Sequence, residues 1–304
     1  MFIILWLVSA FSALTIWYAS FSPQRSAAHH GIEFGDFKHA YAISVDISGT
    51  IYVLDGGSNE IIKFDSAYNV QLRTGGFGWT QSTFDAPRDI IAPNGLDVYV
   101  ADYGNHRIQR FDRNLNFFSS FPTKDNEVGS RSFGYPRSVA VSNSGALYIT
   151  DGENNRVLKV DIDGSQRTFG GIDAASGRLR HPSCVRMSDN ELVFVQDGNA
   201  IVTFDRFGNY LRKSNSDLFN NLTTFTVVGD TIYALDSCKL IKIHERGTVT
   251  AVSGEICSLF GDKPQQIVDL AVLKGKCYIL TEHSIYIIDS EVLFKSNHQK
   301  VNQQ

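Results

Sequence analysis

Past residue 40 the apolar positions fall in short runs rich in Val, Ile, Tyr and Phe, separated by turns of Gly, Asn, Asp and Ser. Runs of this kind predict β-strands, and no amphipathic helix interrupts them. Three stretches align closely: IYVLDGGSNEIIKFD at 51–65, VYVADYGNHRIQRFD at 98–112 and LYITDGENNRVLKVD at 147–161. Each reads as two strands joined by a polar loop. Weaker copies with shorter loops follow as VFVQDGNAIVTFD at 193–205, IYALDSCKLIKIH at 232–244 and CYILTEHSIYIID at 277–289. The aromatic near the start of each copy (Tyr52, Tyr99, Tyr148, Phe194, Tyr233, Tyr278) recurs at intervals of 47, 49, 46, 39 and 45 residues.

A second marker keeps the same rhythm. Phe84-x-x-Pro87, Phe133-x-x-Pro136 and Leu179-x-x-Pro182 each lead into an apolar run 15 residues before that aromatic, and Phe37, Phe219 and Pro264 hold the matching places in the other copies. The third copy shows four candidate strands: SVAVS from Ser138, ALYIT from Ala146, RVLKV from Arg156 and SQRTF from Ser165. Four antiparallel strands per unit and six units predict an all-β chain folded as a six-bladed β-propeller, a ring that leaves only short protected edges. Each copy thus accounts for four strands, yet residues 31–37 stand where they could add a strand beside blade six.

Composition changes this picture at the amino terminus. Residues 2–21 carry no charge, and Arg25 is the only charge before residue 29. That length spans a bilayer as a hydrophobic helix. The small residues Ser26, Ala27 and Ala28 equally permit cleavage before His29. The expected organisation is a signal peptide or membrane anchor over 1–28, a propeller over 29–296 and a polar tail over 297–304, with the body membrane-anchored or secreted into a periplasmic or extracellular space. The chain holds 28 Lys and Arg against 32 Asp and Glu, a formal charge of −4. An acidic body of this kind argues against nucleic acid as a partner.

The four cysteines, 184, 238, 257 and 277, contain no C-x-x-C pair, which argues against a zinc site or a redox motif. In the fifth copy Cys238 lies between the second and third strands and Cys257 follows the fourth. Both connections emerge on one face of a propeller, so a Cys238–Cys257 disulfide is geometrically allowed and suits an oxidising compartment. Cys184 and Cys277 are expected as buried thiols.

The stretch VYVADYGNHRIQRF at 98–111 resembles the signature of the NHL repeat, and Phe84-Asp85-Ala86-Pro87 resembles its blade entry. The resemblance is specific in blades two and three, fair in blade one and faint afterwards. It implies a six-bladed propeller and not a particular activity, since such propellers include protein-binding, RNA-binding and receptor domains and a few metal-dependent lyases. The motif residues have a structural reading: Asp55, Asp102 and Asp151 end a strand where they can accept backbone N–H bonds, and Asn105, Asn155, Arg107 and Arg156 can tie the loop to its neighbour.

Propeller lyases and lactonases hold a metal at the mouth of the central channel, near the starts of the innermost strands. Just after the entry Pro this chain has Arg88, Arg137 and Ser183, with Tyr41, Thr223 and Val268 as counterparts, so the zinc histidines of the NHL-like amidating lyases are not matched. Asp89 and Asp269 are the acidic residues near these entries, few for the six to eight oxygens calcium takes. No G-x-S-x-G, H-E-x-x-H or P-loop is present.

The reading is therefore an exported or membrane-tethered binding module for a protein, peptide or glycan ligand, a monomeric propeller without a cofactor. Its candidate ligand residues at the channel mouth are Arg88, Arg137, His181, Asp89 and Asp269. Two guanidiniums at one opening suit a carboxylate or phosphate. Phe77 and Trp79 in TGGFGWT are candidates for a protein contact on the same face. The alternative is a propeller hydrolase or lyase with calcium or zinc in the channel.

Overall fold

The computed structural model describes residues 31–122, 134–214, 217–260 and 265–295. The amino-terminal segment, the entry residues Phe133 and Pro264 and the tail lie outside them. Among the described residues, no helix is long and apolar enough to cross a membrane.

The chain forms six four-stranded antiparallel sheets. β1 (Ile32–Phe34) comes first. Blade one is β2 to β5 (Ala40–Val45, Ile51–Asp55, Glu60–Phe64, Val70–Gly75), and blade two is β6 to β9 (Asp89–Ile91, Asp97–Asp102, Arg107–Asp112, Phe117–Pro122). Blade three is β10 to β13 (Pro136–Val141, Leu147–Asp151, Arg156–Val160, Gln166–Phe169). Blade four is β14 to β17 (Pro182–Met187, Val193–Asp197, Ile201–Phe204, Tyr210–Lys213). Blade five is β18 to β21 (Leu222–Val228, Thr231–Asp236, Lys239–His244, Val249–Val252). β22 to β24 (Ile267–Leu273, Lys276–Thr281, Ile285–Asp289) belong to blade six, and the helix α1 (Ser290–Lys295) follows. The first strands touch in a closed circle, β2 to β6, β10, β14, β18, β22 and back to β2.

Alternation within each strand makes the core. In β3, Ile51 and Val53 pack toward blade six while Tyr52 and Leu54 pack toward blade two. Successive side chains of a strand point to opposite faces, so a blade between two others buries both. That is why β3, β11 and β15 are buried at every position, whereas the outermost strands β5, β13, β17 and β21 are mostly exposed.

Blade six departs from the four-strands-per-copy reading. Its copy supplies three strands, and the outermost is β1, paired antiparallel with β24 through Ile32↔Ile287 and Phe34↔Ile285. After β24 the chain turns into α1, and no further strand follows among the described residues. Tyr286 Oη donates to Glu33 at 2.7 Å, and the amides of Phe37 and Ala40 donate to the carbonyls of His283 and Glu282.

One carboxylate recurs at the end of the second strand in blades one to five. Asp55 accepts the backbone N–H of Lys38 and His39, Asp102 that of Asp85, Asp151 that of Gly134, Asp197 those of Arg180 and His181, and Asp236 those of Asn220 and Asn221. All five are buried. Asp102 also holds Arg107 Nε at 2.7 Å, and the Arg107 fork reaches the carbonyls of Trp79, Thr80 and Thr83 in the preceding loop. In blade six Thr281 takes the equivalent place and caps its own turn through Ser284.

Asp102→Ala removes the buried acceptor for the Asp85 amide, Arg107 Nε, Asn105 Nδ2 and Gln109 Nε2. The expected loss is about 3–5 kcal/mol of unfolding free energy in urea. Asp65→Ala, at an exposed turn, is expected to cost much less; equal losses for the two variants would contradict the structural role of the strand-end carboxylate.

Candidate functional site

In blades one, three, four, five and six the first strand carries an irregularity next to the end of the second strand. Pairing runs from Ala40↔Asp55 to Ala42↔Leu54, from Pro182↔Asp197 to Cys184↔Gln196, from Leu222↔Asp236 to Thr224↔Leu235, and from Ile267↔Thr281 to Asp269↔Leu280. The same slip lies between Pro136 and Val139. A bulge re-aims the side chain of the extra residue. Tyr41, Ser183, Thr223 and Val268 are the skipped residues, Arg137 lies in the fifth slip, and all five line the channel mouth together with Arg88.

Arg88 is exposed, yet its place is fixed. Its guanidinium lies over the ring of Tyr41 at 4.9 Å and of Tyr103 at 5.3 Å. Tyr103 in turn stacks on Tyr135 at 4.8 Å, and His106 on Tyr135 at 4.2 Å. Cation–π contacts orient a guanidinium without neutralising it. Arg88, Tyr103, Arg137 and Ser183 line one cleft of about 310 Å³ at this opening. Two glycines make room: a Cβ on Gly56 would meet the Tyr41 ring at 1.9 Å, and one on Gly152 would meet Arg137 Nε at 2.6 Å. These are the residues after the strand-end carboxylates Asp55 and Asp151, so one motif holds the entry and clears space for the side chain that the entry aims.

Below the mouth the channel is filled by a charged cluster. Arg186 bonds Asp89 through both terminal nitrogens, at 2.9 and 3.1 Å, and also reaches Ser138 Oγ at 3.0 Å. Ser138 Oγ donates to Asp89, and the amide of Val139 donates to the same carboxylate oxygen. Asp269 accepts the amide of Ile43 and the hydroxyl of Thr224, each at 2.9 Å. These contacts cross the ring among blades two, three and four and among blades five, six and one. Burial alone would lower the Arg186 guanidinium, but Asp89 and Asp269 outweigh it and hold it above its ordinary value. Burial raises Asp269 to about 6, with Arg186 opposing and Asp89 adding.

The sequence-derived candidates therefore divide. Arg88 and Arg137 stand together at the mouth, and neither forms an ion pair among the described residues. Asp89 and Asp269 lie deeper, buried and committed to Arg186, Ser138, Ile43 and Thr224. His181 is exposed, lines neither cleft of the mouth, and gives its backbone N–H to Asp197. Arg186, the partner of Asp89, sits three residues past the bulged Ser183, beyond the positions that the entry rhythm marks. Cys238 and Cys257 are joined by a disulfide with a Cα–Cα separation of 5.3 Å, and Cys184 and Cys277 are buried thiols. Phe77 and Trp79, 63% and 70% exposed, pack edge-on against each other in a loop pinned by Arg107 and Asn105.

A divalent metal, which lyase-like propellers would imply, finds a poor set of donors here. The mouth presents two guanidiniums, two phenols and hydroxyls, and no cluster of three His, Cys, Asp or Glu suited to a metal occurs among the described residues. Asp89 is already paired with Arg186, and both oxygens of Asp269 accept hydrogen bonds from Ile43 and Thr224.

The NHL repeat model matches residues 84–111 and 133–160. Over 174 residues the chain is 29% identical to Protein brain tumor of Drosophila melanogaster, covering 55% of this chain and 15% of that protein. Over 133 residues it is 30% identical to a probable peptidyl-alpha-hydroxyglycine alpha-amidating lyase of Caenorhabditis elegans, covering 41% of this chain and 38% of the lyase. The chain thus spans well under half the length of these relatives. Among solved structures, the fold resembles virginiamycin B lyase from Staphylococcus aureus (TM-score 0.64, 11% identity, 85% of this chain and 98% of that one). It resembles equally a gluconolactonase from Xanthomonas campestris (TM-score 0.64, 12% identity, 85% and 89%). At such identities the likeness is one of fold.

Asp269 binds a proton in the folded protein up to about pH 6 and in the unfolded chain only to about pH 4. Its contribution to stability is complete below pH 4 and is lost as pH rises through 6. Asp269→Asn keeps the acceptor for Ile43, so its stability relative to wild type is expected to increase between pH 4 and pH 7 in urea titrations. A constant difference across that range would contradict the assignment.

Proposed function

We propose that this NHL-repeat six-bladed β-propeller is a binding module that takes an acidic group of a protein, peptide or glycan ligand at its channel mouth. One observation carries the reading: Arg88, clamped between Tyr41 and Tyr103, stands beside Arg137 with no carboxylate partner for either among the described residues, while Asp89 is paired with Arg186 and Asp269 accepts hydrogen bonds from Ile43 and Thr224. A guanidinium held in place by packing loses less freedom when it binds than a free one does. The Phe77–Trp79 loop, also reached from a blade-entry segment, adds an apolar contact for a ligand of protein size.

The body is exported or held at a membrane through its amino-terminal segment. Support comes from the uncharged run at 2–21 and from the Cys238–Cys257 bond, which suits an oxidising compartment. The acidic net charge argues against nucleic acid. A second reading, a metal-dependent hydrolase or lyase, draws on the identity shared with the amidating lyase and requires calcium or zinc ligands that the mouth does not offer.

The test is fluorescence anisotropy of a labelled hexaglutamate peptide, with hexalysine as control, on the protein purified without chelator. Hexaglutamate is expected to bind with a salt-sensitive affinity that Arg88→Ala/Arg137→Ala lowers about tenfold or more, equivalent to about 1.4 kcal/mol. An unchanged affinity in that double variant, or one bound calcium or zinc per chain on elemental analysis together with no peptide binding, would overturn the reading.

A further inference from the structure

The seam between blades four and five differs in one respect from the seams between blades three and four and between blades six and one. Between blades three and four, Phe169 at the end of β13 meets Phe204 at the end of β16 with ring centroids 4.9 Å apart, and Tyr210 packs beside Phe204. Between blades six and one, Phe34 meets Phe64 at 5.4 Å. The strand registers identify the equivalent residues between blades four and five. Phe169 pairs with Val157 and Phe34 with Ile285, while Ser214 holds that place beside Ile201, exchanging bonds with its amide and carbonyl. Tyr210 pairs with Phe204, whereas Val249 pairs with Ile243. Three aromatic positions are thus occupied by Ser214, Ile243 and Val249.

The missing rings leave a cavity of about 260 Å³ whose apolar wall includes Ile201, Leu218, Ile232, Ile243 and Val249. An apolar cavity of about 150 Å³ already accepts benzene. Arg212 reaches this space half-buried and makes no hydrogen bond or ion pair among the described residues. Lys213 beside it is engaged with Asp197, and Arg246 stands at the exposed rim. Burial pulls the Arg212 guanidinium below its ordinary value, with the Glu245 charge in partial opposition. Glu245 itself is held by Asn190 through one oxygen.

We infer that the seam between blades four and five is a second binding site, for a small aromatic carboxylate whose ring replaces the absent side chains and whose carboxylate pairs with Arg212. An apolar body alone would fit the walls but leave the half-buried guanidinium without a counter-charge, and a bare anion would leave the cavity unfilled. The occupant must carry both. This site lies at the outer edge of the ring and shares no lining residue with the channel mouth.

The test is isothermal titration of the full chain with 3-phenylpropanoate and with the neutral 3-phenylpropanol. Wild type is expected to bind the carboxylate saturably. Arg212→Met is expected to weaken the carboxylate about tenfold and leave the alcohol within about twofold. Val249→Tyr, which installs the residue type of blade four, is expected to weaken both about tenfold while keeping or raising the melting temperature. The Arg88→Ala/Arg137→Ala variant is expected to bind both as wild type does. Absence of saturable carboxylate binding up to about 1 mM, affinity indifferent to Val249→Tyr, or loss in the Arg88/Arg137 variant would overturn the inference.

Discussion

A buried carboxylate at the end of the second strand is the constraint on which this ring depends. Asp55, Asp102, Asp151, Asp197 and Asp236 each capture backbone N–H groups of the segment that enters the blade from outside. Those N–H groups are removed from water at the entry and would be costly to leave unpaired. Anchoring the entry there fixes where the first strand begins, and in four of these five blades the strand then slips its register before regular pairing starts. The slip turns one side chain in each of these four blades toward the channel mouth, which Arg88 of blade two reaches from the same offset without one.

Two consequences follow from one piece of backbone geometry. The positions after the entry form a ring at the opening, so any chemistry the protein offers there is written in the residues Tyr41, Arg88, Arg137, Ser183, Thr223 and Val268. The residues one layer deeper, Asp89, Ser138 and Asp269, face one another across the channel and are closed off by Arg186. The ring presents charge at its rim and spends charge in its interior. A rim of this composition favours recognition of an anion over coordination of a cation.

How much of this was legible in the sequence depends on whether a feature repeats. The blades were readable because the aromatic of the second strand and the entry proline keep one interval, and Arg88 and Arg137 were readable because they sit at a fixed offset from Pro87 and Pro136. Arg186 was not, since it acts from near the end of β14 and follows no repeat. His181 falls on the blade after those of Arg88 and Arg137, but it comes before the bulge and its backbone belongs to the Asp197 lock. The repeat alone assigns blade six four strands of its own, but the segment at 31–37 stands apart from the repeat as a candidate strand beside that blade, and β1 fills this place by pairing with β24. The cavity between blades four and five is visible only when equivalent strand positions are compared, because it consists of side chains that are smaller than their counterparts.

The central claim is that the blade-entry lock builds a ligand site from the entries of blades one to three. Hydrogen–deuterium exchange of the protein with and without saturating hexaglutamate peptide tests it most directly. The account predicts protection concentrated in residues 38–42, 85–89, 103–106 and 134–138, with the outermost strands unchanged. Protection confined to the outer strands or to the opposite face, around residues 47, 96 and 228, would contradict it.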